Sequence, residues 1–464
     1  MKSLLIKNGT IVTAYDEFLG DIYVEDEKIV VIGKTLDYQA DEIIDATGKY
    51  VVPGGVDQHT HFNFTFGEHT CVGWESSDAG IVSGTTTVID FANQKVGSSL
   101  KDSIDEYTRN SIDGKACCDY GLHGVVFDPN DALFEEIEHM PEYGVSTLKL
   151  FMAYKGHPYH CDDSAVLKAL QASKKSGVTI MVHAENAEMI DTLQKQTVAE
   201  GITAPMGHAI SRPPIVETEA VRRAGYLAEL ADAPIYIVHV TAKEAMEVIR
   251  AEQCKGQKMY GETCTHYLTV TKDVLEAPGY EGAKYVCSPA LRTDNHLNAL
   301  WEAIRNGWLN AISSDHVGFN YAVHKHAGYD SSFIDIPNGA PGLENRFPVI
   351  WTEGVAKGKI SRQKFVELCC TNPAKINGIY PKKGTLVIGS DADIVIYDPD
   401  YKGTFSNDTS LHRVDYSAYE GREQIGRAEK VFLRGTLVAE DGKYLGTPGS
   451  GQFVPGKGYG LCYE

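Results

Sequence analysis

The sequence carries no excess of basic charge: 43 lysines and arginines stand against 63 aspartates and glutamates, a formal net charge of −20. Nothing is left over to neutralise a phosphate backbone or to grip an anionic membrane surface, so nucleic acid and membrane are excluded as expected partners. Long apolar runs are missing too. The N-terminal one, Leu4-Leu5-Ile6, is too short for a signal-peptide core, and no stretch approaches the roughly 18 residues of a membrane span. Ten cysteines include no Cys-x-x-Cys pair, which argues against a zinc ribbon or a dithiol redox site. Scattered thiols of this kind suit a reducing compartment, and a cytoplasmic protein is expected.

What is present is globular. Of 464 residues, 43% are apolar and 23% charged, which excludes a mainly disordered chain. The first fifty residues read as short strands. Leu4-Leu5-Ile6 and Thr10-Ile11-Val12 flank Asn8-Gly9, a pair suited to a tight hairpin turn. The phrase returns near the other end in Val431-Phe432-Leu433-Arg434-Gly435-Thr436-Leu437-Val438, so the two ends are expected to share one β-rich module. Between them, strand-like runs at 56–61, 85–91, 121–127, 145–151, 178–183, 234–239, 258–266 and 310–315 alternate with helical stretches such as 164–176 and 217–230. Eight β-runs separated by helices predict an α/β architecture, a (β/α)8 barrel with a parallel sheet. The glycine-rich segment from about Gly442 is expected to be mobile or to wrap a neighbouring subunit.

Metal-type residues fall at the ends of these runs. The first ends in His59-Thr60-His61, and residues i and i+2 of a strand point to the same side. The fourth carries Lys149, the fifth ends at His183, the sixth at His239 and the eighth at Asp315. In a barrel all of these ends lie at the C-terminal mouth, where active sites are built. Four imidazoles and a carboxylate predict a metal site, with zinc the best match and manganese, iron or cobalt as other occupants. A cationic lysine among metal ions is costly. Lys149 must then be neutral, or converted by carbon dioxide to an anionic carbamate that bridges two ions, unless it points away from the interior.

These residues resemble the dihydropyrimidinase and D-hydantoinase group of cyclic amidohydrolases. The resemblance runs through Pro53-Gly54-Gly55-Val56-Asp57-Gln58-His59-Thr60-His61, Lys149-Leu150-Phe151-Met152-Ala153-Tyr154, His183-Ala184-Glu185-Asn186, Cys287-Ser288-Pro289, Ser314-Asp315-His316 and Ile336-Pro337-Asn338-Gly339. It implies a TIM barrel at 53–372, a β-sandwich assembled from 1–52 and 373–441, and a tail at 442–464. It implies two zinc ions bridged by a carbamylated Lys149 (N6-carboxylysine). His59, His61 and Asp315 would complete one ion's shell, His183 and His239 the other's. Tyr154 would contact the substrate carbonyl oxygen, and Ser288 and Asn338 would hold the ring amide, largely through backbone groups. The implied reaction opens a dihydropyrimidine or a 5-substituted hydantoin to an N-carbamoyl amino acid, with Asp315 as general base and then acid. A homotetramer or homodimer is expected.

Other readings are an allantoinase-like or other metal-dependent hydrolase, and a non-enzymatic scaffold of the same fold. Dihydroorotases usually follow the His-x-His pair with Leu-Arg. Here Phe62-Asn63-Phe64 supplies no cation, which disfavours an acidic ring. Phe62, Phe64, Phe66 and Phe151 are expected to wall the pocket for the ring's substituent. Gly156-His157-Pro158-Tyr159-His160-Cys161 replaces a usually apolar loop, and Ala290 stands where a second proline is common. Seven further histidines (69, 157, 160, 266, 316, 324 and 326) are not expected to be metal ligands.

Overall fold

A computed structural model describes residues 3–326 and 332–464. Its centre is a parallel barrel whose strands follow one another in chain order: Gly55–His61, Thr85–Asn93, Asp119–Val125, Thr147–Phe151, Thr179–His183, Ile235–Ile237, Met259–Cys264 and Ala311–Ser313. Each of the eight expected runs overlaps one of them, with the first three strands reaching one or two residues beyond the expected bounds. They are almost wholly buried, because helices cover the outer face while side chains fill the inner one. The eighth strand breaks at Ser314-Asp315, and His316–Val317 then pairs with Thr60 and His61 of the first, closing the barrel.

The helices follow local rules. Asp163–Ser176 starts where the Asp162 side chain accepts from the Ala165 N–H and stops at Gly177, which takes a positive φ of 70°. Pro214–Ala231 covers the other expected stretch and begins with proline in its first turn.

The two chain ends form one mainly antiparallel nine-stranded sheet. Ile394–Thr404 pairs with Tyr50–Pro53, which joins the C-terminal strands to the N-terminal ones. The sheet rolls over a core of Leu4, Ile6, Ile22, Ile29, Ile394 and Phe432. Asn8-Gly9 is not the expected hairpin turn. Ser3–Val12 is a single strand that runs through it, and the pair forms a bulge where the register against Glu17–Glu25 shifts. Asn8 takes φ 61° and its N–H donates to Asp21 Oδ1, while a Cβ on Gly9 would come within 2.4 Å of Val51. Tertiary contacts thus use Asn8-Gly9, with only Asn8 at positive φ, for a bulge.

Lys383 joins this sheet to the barrel. Its ammonium is fully buried and lies 2.6 Å from Asp119, 2.9 Å from Asp391 and 2.8 Å from Asp393. Asp119 opens the third barrel strand and also pairs with Arg434. The last segment is not splayed out. Backbone bonds link Gly449 and Gly451 to Ala116, Gln452 and Val454 to Tyr120, Gly456 to Gly144, and Tyr459 to Gly177. It runs beneath the barrel past strands three, four and five, with Val454 and Cys462 buried, rather than reaching away as expected.

Candidate active site at the barrel mouth

The strand ends bring the expected residues together. His59 and His61 leave the first strand on one side, and their Nε2 atoms lie 3.2 and 3.3 Å from the same oxygen of Asp315. Ligand atoms of these three residues all fall within 4.8 Å of one another. The His239 ring centroid is 5.4 Å from that of His59 and 4.4 Å from that of His183. Lys149 Nζ sits 3.0 Å from His59 Nε2 and 4.2 Å from the Phe91 ring centre. Tyr154, Ser288 and Asn338 line the same pocket as Lys149, His183, His239 and Asp315.

Backbone conformation aims several of these groups. Tyr154, His239 and Asp315 have φ of 62°, 41° and 49°, in the left-handed region that costs a side chain about 1–3 kcal/mol. Each lies just past a strand end, where the turn inward must be immediate.

Carboxylates that the pattern of strand ends does not reveal hold two of the histidines. His59 Nδ1 is 2.5 Å from Glu262 Oε1, in the middle of the seventh strand. Glu262 also accepts from Gln58 at 2.7 Å and from Ser313 at 2.5 Å. On the other side, His183 Nε2 is 2.7 Å from Glu185. The one signal for Glu262 in the sequence is an acidic residue inside an otherwise buried run, not at its end.

This arrangement fixes what the site can bind. A carboxylate at Nδ1 places the His59 proton there and leaves the Nε2 lone pair facing Asp315. Two lone-pair atoms 3.2 Å apart repel unless a cation lies between them, so the donor set fits a metal ion. Burial pushes the His59 imidazole well down, and pushes His61 down to about 4 against the pull of Asp315, keeping both rings neutral as ligands must be. Burial pushes the Asp315 carboxyl up, but His59, His61 and His239 outweigh it and hold it well below the usual range. Burial lowers Lys149 to about 8, against the opposing pull of Asp315 and Glu262. An amine so depressed has a neutral, nucleophilic fraction at neutral pH, the form that reacts with carbon dioxide. Burial raises the Tyr154 phenol, so it stays a protonated donor.

The apolar wall differs from expectation at one position. Phe64, Phe66 and Phe151 line the pocket, joined by Phe91, Phe127 and Tyr159. Phe62 does not: it is buried behind the first strand, its ring 4.7 Å from that of Trp74. Strand alternation turns residue 62 away from the side that His59 and His61 face. In the loop at 156–161, Tyr159 stacks on His157 with ring centroids 5.1 Å apart, which gives that side of the pocket polar tips.

Comparison with known proteins gives one consistent answer. Residues 50–438 match the amidohydrolase family. The chain is 44% identical to a D-hydantoinase from Ralstonia pickettii over 98% of its own length and 99% of that protein's. It is 38% identical to a dihydropyrimidinase from Rattus norvegicus, covering 97% of this chain and 88% of the other. Its structure matches that of a dihydropyrimidinase from Brevibacillus agri with a TM-score of 0.96 and 42% identity, over 98% of this chain and 99% of that one.

Proposed function

The chain belongs to the amidohydrolase family, and from that premise we propose that it hydrolyses a C–N bond of a cyclic ureide, opening the ring to an N-carbamoyl amino acid. The observation that carries this reading is the convergence of His59, His61 and Asp315 beside His183, His239 and Lys149 in one pocket with Tyr154. His59, His61 and Asp315 would hold one zinc ion and His183 and His239 a second, with Lys149 as a carbamate between them. When bound, such ions supply Lewis acidity, polarising a carbonyl and bringing water towards ionisation at neutral pH.

The protein's own groups then divide the work. Asp315, with one carboxylate oxygen 3.2 and 3.3 Å from His59 and His61, takes the proton from the attacking water and delivers it to the leaving ring nitrogen. Tyr154 donates its hydroxyl proton to the oxygen on which negative charge develops, a contribution of about 3–4 kcal/mol for one such donor. The ring amide presents N–H and C=O on one edge, matched by the Ser288 carbonyl and the Asn338 peptide N–H. Phe64, Phe66 and Phe151 face the ring's substituent. Candidate substrates are dihydrouracil, dihydrothymine and 5-substituted hydantoins.

Burial of nine of the ten free cysteines supports a reducing, cytoplasmic setting. Among the described residues no helix is long and apolar enough to cross a membrane. A homotetramer or homodimer is the proposed assembly, which light scattering on the purified protein measures.

The test is a panel of cyclic ureides assayed by loss of ultraviolet absorbance, with metal-stripped and zinc-loaded protein. Turnover by the loaded form alone is expected, with two ions per chain by metal analysis. Labelling with carbon-13 bicarbonate should give a carbamate signal that is absent from Lys149→Met. Failure on every cyclic ureide at full metal loading would overturn the substrate class, and a chain that purifies without tightly held metal would instead be a scaffold.

A further inference from the structure

Asn338 and Ser288 belong to separate segments, and neither lies on a strand or helix. Loops that must present a carbonyl and an N–H at fixed spacing need an external brace. The segment 286–289 has one at nearly every carbonyl. Val286 O accepts from Lys325 Nζ at 3.0 Å and from the Gly339 N–H at 3.0 Å. Cys287 O accepts from His208 Nε2 at 2.8 Å, and Pro289 O from the Tyr267 hydroxyl at 2.7 Å. The guanidinium of Arg212 lies 3.1 Å from His208 Nδ1, so that nitrogen is the acceptor and Nε2 carries the proton. Among the described residues, only the Ser288 carbonyl in this run has no hydrogen bond.

The same lysine reaches the second segment. Lys325 Nζ donates to Pro337 O at 2.9 Å and to Ala283 O at 3.3 Å. Pro337 precedes Asn338, and the Gly339 N–H that follows is the one bound to Val286. Asn338 is thus pinned on both sides to the segment that carries Ser288, while its own N–H has no partner among the described residues. Lys325 is fully buried and spends its three donors on three backbone carbonyls; no carboxylate pairs with it among the described residues. A buried ammonium is expensive, and an apolar side chain would pack there at lower cost. Its use here is what an amide clamp requires: one atom that fixes two loops to each other.

We propose that Lys325 is a positioning residue for the reaction, setting the spacing between the Ser288 carbonyl and the Asn338 N–H that receive the substrate's amide edge. This rests on the function proposed above, and the experiment separates the two. Lys325→Met keeps the length of the side chain and removes all three donors. Lys325→Arg keeps the charge but spreads its donors over a planar fork, which cannot aim three bonds from one nitrogen.

For Lys325→Met, KM for the best ureide should rise about tenfold or more while kcat changes less than about threefold, as expected for binding lost equally from ground and transition states. Metal content should stay at the parent's level. Lys325→Arg should show a smaller rise in KM, and it carries the test if the methionine variant does not fold. A KM unchanged within about twofold in a folded variant overturns the proposal, as does loss of kcat and metal together at constant KM. Crystal structures of parent and variant decide the matter even if the parent opens no ureide. Segments 286–288 and 337–339 should then separate in the variant, and an unchanged separation overturns the brace.

Discussion

Replacing Glu262 by glutamine changes one atom of a buried side chain and should weaken the metal site from behind. The carboxylate accepts from His59 Nδ1 at 2.5 Å, Gln58 Nε2 at 2.7 Å and Ser313 Oγ at 2.5 Å. All three partners donate, and a carboxylate can only accept. An amide puts a donor where one of those oxygens was. If it faces Gln58 and Ser313, the serine hydroxyl can rotate but the Gln58 amide meets another donor. If it faces His59, the imidazole must move its proton to Nε2, the nitrogen that faces Asp315. Either arrangement loses one hydrogen bond to a charged group, about 1.5–3 kcal/mol. At about 1.4 kcal/mol per tenfold, that is roughly 10–100-fold in metal affinity, the range typical for outer partners of ligating histidines. Competition against a chelator, monitored through zinc, measures it directly. Saturating zinc should restore most of kcat, because Glu262 touches neither water nor substrate in the proposed reaction. An affinity within about threefold of the parent would refute the reasoning, since it would mean that His59 needs no carboxylate to hold its tautomer.

Other expectations follow from the same geometry. Asp315→Asn should abolish turnover with fold and most metal retained; substantial residual rate in a steady-state assay would remove its assigned role. Tyr154→Phe should lower kcat by about 10²–10³, the usual cost of one lost oxyanion donor, with little change in melting temperature. Lys383→Met should cost about 3–5 kcal/mol in urea unfolding, because it leaves buried aspartates unpaired. Burial lowers the Lys383 ammonium, but Asp393, Asp119 and Asp391 outweigh it and hold it above the ordinary lysine value of about 10.4. Its stabilisation is therefore complete below that pH and disappears as pH rises through the higher folded value, so the gap between parent and variant should narrow only in strong alkali.

Much of the fold is legible in the sequence because the barrel strands are buried on both faces and read as short strand-like runs separated by helical stretches. The ends of such runs can be compared directly, and that comparison groups His59, His61, His183, His239 and Asp315, while Lys149 stands out as the one cation inside its run. It reaches no further than the ends. Glu262 sits in the middle of its strand, and its partner His59 is 203 residues away. Lys325 and His208 bind backbone carbonyls, which leave no mark on side-chain patterns. Asn8-Gly9 has the composition of a hairpin turn, and only packing against Val51 and Asp21 makes it a bulge. Chemistry groups Phe62 with Phe64 and Phe66, although alternation alone places it on the far side.

The strap beneath the barrel decides which way traffic runs. Above it, Asn377 donates to Gln58, and Gln58 to Tyr236 and Glu262, so a plug of bonded polar side chains fills the lower half of the bore. Below the plug, Gly456 packs so tightly that a Cβ there would come within 2.4 Å of the Asn377 carbonyl oxygen. These bonds and contacts pack the lower end of the bore. Phe64 and Tyr159 line the pocket at the opposite, mouth end, where a ring opened by the proposed reaction would leave longer and newly charged. Departing product and arriving substrate then share that doorway, and the side chains that frame it govern how fast the enzyme can begin again.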